Sequence, residues 1–124
     1  MIELPEALVI ARQMDAELKG KRVVSGNRGN TAHKFAFASG DAGEYAAILR
    51  DKTVGASWGQ GMAILTTLDP GYTLVLGGGG ERILYHQSGS KLPKKYHLWL
   101  HFEDDTCLTV SVQGWGNTLL LPQA

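Results

Sequence analysis

From Lys52 onward the chain is a succession of short strand-like segments divided by turn residues, and this constrains the fold more than anything else in it. KTVGASW, GMAILTTL, YTLVLG, ERILYH, YHLWLHF, CLTVSVQ and TLLLP are each of strand length and rich in β-branched, aromatic and leucine side chains. Asp69-Pro70-Gly71 and the acidic run Glu103-Asp104-Asp105 supply turns between them. The second half is therefore read as all β. Glycine supports the reading: there are 16, gathered at Gly77 to Gly80 and at Gly114 and Gly116.

The first half differs. Pro5 stands where a helix begins, and Ala7, Ile10, Ala11, Met14 and Leu18 recur at helical spacing until Gly20 can end the helix. RVVSGN and KFAFA then read as strands divided by a loop from Arg28 to His33, and Asp41 is placed to cap a second, short helix through EYAAILR. About eight strands and two early helices predict an α+β, mostly β fold: an antiparallel β-sandwich or barrel flanked by the helices. At 124 residues this is one domain, spanning 1–124.

Charge and cysteine content narrow the function classes. Twelve basic and twelve acidic residues cancel, so any basic surface has to be local. Cys107 is the only cysteine and cannot form an intramolecular disulfide. No secretory n-region and h-region precede the first helix, and no apolar run approaches the roughly 20 residues of a membrane span. A cytoplasmic, non-membrane protein is expected.

Four features invite a chemical reading. The run Gly77 to Gly80 lacks the Gly-Lys-Ser/Thr ending of a phosphate loop and leads into a strand, so it reads as a flexible strand connection. His97 and His101 share a face of a strand, but with a single cysteine elsewhere they do not make a zinc spacing. Cys107 near His101 lacks an identifiable orienting group and reads as a buried, inert thiol. Lys91, Lys94 and Lys95, with Arg82 and His86 in the preceding strand, form a local basic patch able to hold phosphates or simply to solubilise a turn. Exposed aromatics would favour nucleic acid, but Trp58, Trp99 and Trp115 are spread over three strands where a core could hold all of them, so they do not decide.

Taken in order, MIELPE, an amphipathic helix ending in GKRV, the strand-rich body, LPKKYHLWLHFEDD and SVQGWG resemble the N-terminal catalytic domain of the formamidopyrimidine-DNA glycosylase and endonuclease VIII family. The resemblance runs through essentially the whole chain. It implies a β-sandwich flanked by two helices, joined in full-length members to a helix-two-turn-helix domain and usually a zinc finger. It implies no cofactor within these residues, a structural zinc belonging to the C-terminal part. It also implies a role in base excision repair, with damaged or abasic DNA as partner: a damaged base is flipped out and removed, and the abasic site is cleaved.

The family's nucleophile is an N-terminal proline exposed by loss of the initiator Met. Here Ile2 stands in that place, so the resemblance leaves the amine to Met1, or to Ile2 if Met1 is removed. Glu3 matches the family's catalytic acid and Glu6 the second acid of the opening run. The hairpin lysine of the family falls on Met62, and the methionine wedge falls on Gly77 to Gly80. Gln113 and Gly114 replace two arginines, while Trp115 and Gly116 are kept in kind. Two functional expectations follow. One is a catalytically degenerate glycosylase or lyase-like domain that retains damaged-DNA binding through Lys91, Lys94, Lys95, Arg82 and Gln113. The other is a non-enzymatic binding module with an opened pocket at the glycines.

Overall fold

The computed structural model describes residues 1–29 and 35–123. Two helices and nine strands are present among them. Strands β1 (Val23–Arg28), β7 (Leu98–Phe102), β8 (Cys107–Val112) and β6 (Glu81–His86) form a four-stranded sheet in that order. Strands β2 (Ala36–Phe37), β9 (Gly116–Pro122), β5 (Tyr72–Gly77), β4 (Ala63–Asp69) and β3 (Thr53–Gln60) form a five-stranded sheet. The sandwich is antiparallel as expected except at one edge, where β2 runs parallel to β9.

The strands alternate as a half-buried face requires. Ile64, Leu68, Leu74, Leu76 and Leu120 of the larger sheet meet Leu98, Leu100, Phe102, Leu108 and Val110 of the smaller one in a single core. Each such side chain contributes about 1.5–3 kcal/mol by leaving water.

The helices close the two open flanks of this sandwich. Helix α1 (Leu4–Leu18) packs on β3 and β4 along the stripe Ala7, Ala11, Met14 and Leu18. Its other flank, through Ile10 and Met14, shares a cleft of about 160 Å³ with Ile83 and Tyr85 of β6 and Leu108 of β8. Pro5 lies in the first turn, and Gly20, with φ of +89°, ends the helix. Beyond it the Gly20 N–H donates to the Val54 carbonyl at 2.7 Å, and Asp15 accepts from the Ser57 N–H at 3.0 Å. Both bonds cover the outer edge of β3.

Helix α2 (Ala42–Leu49) begins as predicted: Asp41 accepts from the Glu44 N–H at 2.8 Å. It packs on β1, and the buried Tyr45 hydroxyl donates to the Thr118 carbonyl of β9 at 2.5 Å, so α2 ties one sheet to the other.

One expectation needs correction besides the parallel edge, and one open question is answered. KFAFA forms only a two-residue strand, Ala36–Phe37, while Lys34 and the loop positions 30–33 lie outside the described residues. The tryptophans are not all core: Trp58 and Trp115 are 40% and 42% exposed. Trp58 sits on the outer face of an edge strand, and Trp115 on the turn between β8 and β9, where no second sheet covers them.

Candidate functional site at the N-terminal rim

The residues leading into α1 lie against the glycine run. Ile2 is 4% exposed and belongs to the core cluster, and its backbone N–H donates to the Gly79 carbonyl at 2.8 Å. The side chain anchors the terminus because it is large and apolar. Met1, one residue outward, is 69% exposed. Glu3 is exposed at the N-cap of α1, and its N–H donates to Glu6 Oε1 at 3.3 Å, so Glu6 serves the helix start.

Gly79 and Gly80 form a close backbone contact and not a flexible connection. The Gly80 N–H donates to the Trp115 carbonyl at 2.7 Å, and its carbonyl accepts from the Gln113 N–H at 2.8 Å. A Cβ on Gly79 would stand 2.4 Å from the Trp115 carbonyl oxygen, and one on Gly80 would stand 1.9 Å from that of Gln113. Glycine is required there because two backbones touch.

Sequence reasoning missed the acid at the centre of this arrangement. Glu81 is a buried carboxylate whose Oε1 accepts from the Gly79 N–H at 3.0 Å and whose Oε2 accepts from the Asn117 N–H at 2.7 Å. Asn117 in turn donates from Nδ2 to the Gly77 carbonyl at 3.0 Å. A buried carboxylate holds its place when N–H donors surround it. The only signal in the sequence was an acid at the start of an otherwise apolar strand, directly after four glycines.

Part of the predicted basic surface joins this rim. Arg82 is exposed and sits directly across from Ser111, whose hydroxyl donates to the Lys95 carbonyl at 3.1 Å. Gln113, also exposed, follows two residues later and is bonded through its backbone to Gly80. Backbone contacts thus link Arg82, Lys95, Gln113 and Trp115 through Ser111 and Gly80 to the strand end that holds Ile2. Neither Arg82 nor Lys95 has a carboxylate partner among the described residues. Lys91 and Lys94 are exposed on the same segment as Lys95. Met62 is 48% exposed, and its carbonyl lies against Gly77.

The histidines serve other ends. His97 Nδ1 accepts from the Val112 N–H at 2.9 Å, whereas His101 Nε2 meets Asp105 Oδ1 at 2.8 Å. His86, its basicity lowered by burial, meets the Thr109 hydroxyl at 2.8 Å. Cys107 does have an oriented histidine across the strand, since His101 is its register partner and is held by Asp105. Burial nevertheless pushes the thiol up, away from the thiolate a nucleophile needs. The four groups are structural neighbours along a sheet face.

No protein-family model and no curated protein matches the sequence. Solved structures do match it by shape. A complex between Lactococcus lactis Fpg and an abasic site containing DNA superposes with a TM-score of 0.81 at 17% identity, over 98% of this chain and 44% of that one. A complex of the Lactococcus lactis Fpg protein with a THF-DNA and an inhibitor gives 0.82, with the same identity and coverage. A complex of wild-type Fpg (MutM) from the same organism with an oxidized pyrimidine containing DNA gives 0.80 at 17% identity, over 97% of this chain. The chain therefore has the fold of the Fpg N-terminal domain and spans 44% of the length of those proteins.

Proposed function

We propose that the N-terminal rim binds duplex DNA carrying abasic or other damaged sites, and that the family's amine chemistry is closed off in it. The observation that carries this reading is the Ile2 to Gly79 bond. In a lyase of this type an amine nitrogen attacks the sugar aldehyde carbon, water leaves, and a Schiff base remains. At Ile2 that nitrogen belongs to a peptide, its lone pair is delocalised, its one proton is given to the Gly79 carbonyl at 2.8 Å, and its side chain is buried. Binding draws support from what surrounds it. Arg82 and Lys95 provide cations for phosphates, and Trp115 provides an exposed aromatic face for an unstacked base or for the gap beside it.

Trapping tests the reading. An abasic-site duplex incubated with the intact protein and borohydride is expected to give salt-sensitive binding and no covalent adduct. An adduct mapped to the N-terminus would show that the exposed Met1 amine, or an amine freed at Ile2, does the chemistry after all. Loss of binding at low salt would leave the non-enzymatic module of other specificity as the better reading.

A further inference from the structure

We propose that Phe35 and Phe37, at the β2 edge of the five-stranded sheet, are a stacking platform for unpaired nucleotides, and that the partner is DNA with a short single-stranded stretch. This rests on the reading that DNA crosses the N-terminal rim. The two rings are 49% and 46% exposed, although phenylalanine is among the residues most often buried. Strand alternation accounts for it: Ala36 and Ala38 alternate with them, Ala38 packs against the core, and the two phenylalanines therefore point outward. Residues two apart on a strand stand about 6.6 Å from each other, twice the roughly 3.4 Å rise of stacked bases, so one base fits between the rings.

The strip is tied to the rim by backbone. The Phe35 carbonyl accepts from the Gly116 N–H at 3.0 Å, and Phe37 is the register partner of Asn117. Trp115 directly precedes Gly116, and its own carbonyl accepts from the Gly80 N–H at 2.7 Å. Of the four exposed phenylalanines and tryptophans among the described residues, three thus stand at the start of β9, and Trp58 alone lies elsewhere.

Charge complementarity commits the occupant. Arg82 and Lys95 are joined to this turn through Ser111 and Gly80 and supply cations for phosphates. The segments that carry the rings, 35–40 and 107–124, contain no acidic residue to repel a phosphate. Asn117 lies among the three rings, so the strip is not the continuous apolar patch that marks a protein partner. Flat aromatic faces beside cations are instead the combination that holds single-stranded nucleic acid, and stacking of this kind tolerates any base. A base inside a duplex has both faces covered by its neighbours and offers none to a ring outside, so the strip requires unpaired nucleotides.

Fluorescence anisotropy of the intact protein on two labelled DNAs tests this: a duplex interrupted by a gap of about three unpaired nucleotides, and a duplex with one abasic site and every other base paired. The wild type is expected to bind the gapped DNA at least about fivefold more tightly, the lower end of what one stacked base is worth. Phe35→Ala and Phe37→Ala are each expected to lose at least about fivefold on the gapped DNA, and less on the abasic duplex, with the salt slope of the wild type because no cation is removed. Phe37→Tyr should retain the affinity and Phe37→Leu should not, since leucine is apolar but has no face to stack. Thermal unfolding verifies each variant, and the wild-type comparison decides the matter if the alanine variants fail to fold. A wild type that binds both DNAs alike would overturn the proposal, as would equal binding of the gapped DNA by Phe37→Leu and Phe37→Tyr. In either case salt-sensitive binding to the abasic duplex leaves the rim reading standing. Gapped-DNA binding without abasic-duplex binding supports the platform and removes the lesion reading, and no binding to either DNA removes both.

Discussion

The Glu81 carboxylate accepts from the Asn117 N–H at 2.7 Å, and through that bond one buried side chain fixes the glycine run, the start of β9 and the resting place of Ile2. Removing it leaves two backbone donors without acceptors in a buried site. Glu81→Ala is expected to cost about 2–4 kcal/mol, since each orphaned donor costs about 1–3 kcal/mol. Glu81→Gln, which keeps one acceptor and turns an amide N–H toward the other donor, should cost less than Ala. Urea unfolding of the three proteins orders them; Glu81→Ala within about 0.5 kcal/mol of wild type would refute the role.

A close approach and a mere conformational requirement separate in the glycines. Gly80 has backbone 1.9 Å from where a Cβ would lie, whereas Gly114, with φ of +78°, has nothing within 4 Å. Gly114→Ala is expected to cost about 1 kcal/mol, the penalty of a left-handed residue. Gly80→Ala has to push β6 from the 113–116 turn and is expected to cost at least about 3 kcal/mol, or to prevent folding. Equal losses in the two variants would show that the contact at Gly80 is easily relieved.

Much of this was legible in the sequence because local rules and the tertiary fold agree. Pro5, the stripe ending at Leu18, Gly20 and the Asp41 cap each give a helix boundary through physics confined to a few residues. The glycine run was misread because its cause is non-local: Gly79 and Gly80 are pressed by residues 113 to 115, more than thirty positions away, and no local pattern announces that contact. The same holds for Glu81, whose partners Gly79 and Asn117 meet only when the two sheets are in place. Hydrophobicity leaves the place of Trp58 and Trp115 undecided, because alternation along a strand says nothing of whether its outer face has a partner. The basic residues were found by composition, but only the Ser111 bond shows that Lys95 approaches Arg82 and the rim.

At the opposite end of α1, Lys21 pairs with Asp104. That ammonium, helped by the Thr106 hydroxyl and N–H, holds the Asp104 carboxyl down at about 2 from its ordinary 3.8. A depressed carboxyl stabilises the fold above its unfolded pKa, and the contribution fades as pH falls through the folded value. Asp104 therefore supports the fold fully above about pH 4 and loses that support toward pH 2. The Lys21 ammonium is raised by the same pair, so its share persists to alkaline pH and fades only above its ordinary 10.5. Asp104→Asn is expected to lower the melting temperature near neutral pH, with the gap from wild type closing as the buffer is taken to pH 2. A gap independent of pH would assign the loss to Thr106 packing instead.

Binding at the rim separates into charge and stacking. Arg82→Ala and Lys95→Ala each remove a cation that has no carboxylate partner among the described residues, so each is expected to weaken binding to an abasic duplex. Each should also flatten the slope of log affinity against log salt by about one, whatever the sequence or lesion. Trp115 is uncharged and 42% exposed at the tip of its turn, so its contribution should not depend on salt. Trp115→Ala is expected to cost about 1–3 kcal/mol, the worth of one stacked base, on a duplex with an abasic site, and less on an intact duplex where no base is unstacked. Fluorescence titrations at two salt concentrations, on both duplexes and for all three variants, read out the slopes and the lesion preference together. If Trp115→Ala lowers affinity equally for both duplexes, the ring contributes general contact and the lesion is recognised elsewhere. If neither cation changes the slope, phosphates do not cross this rim.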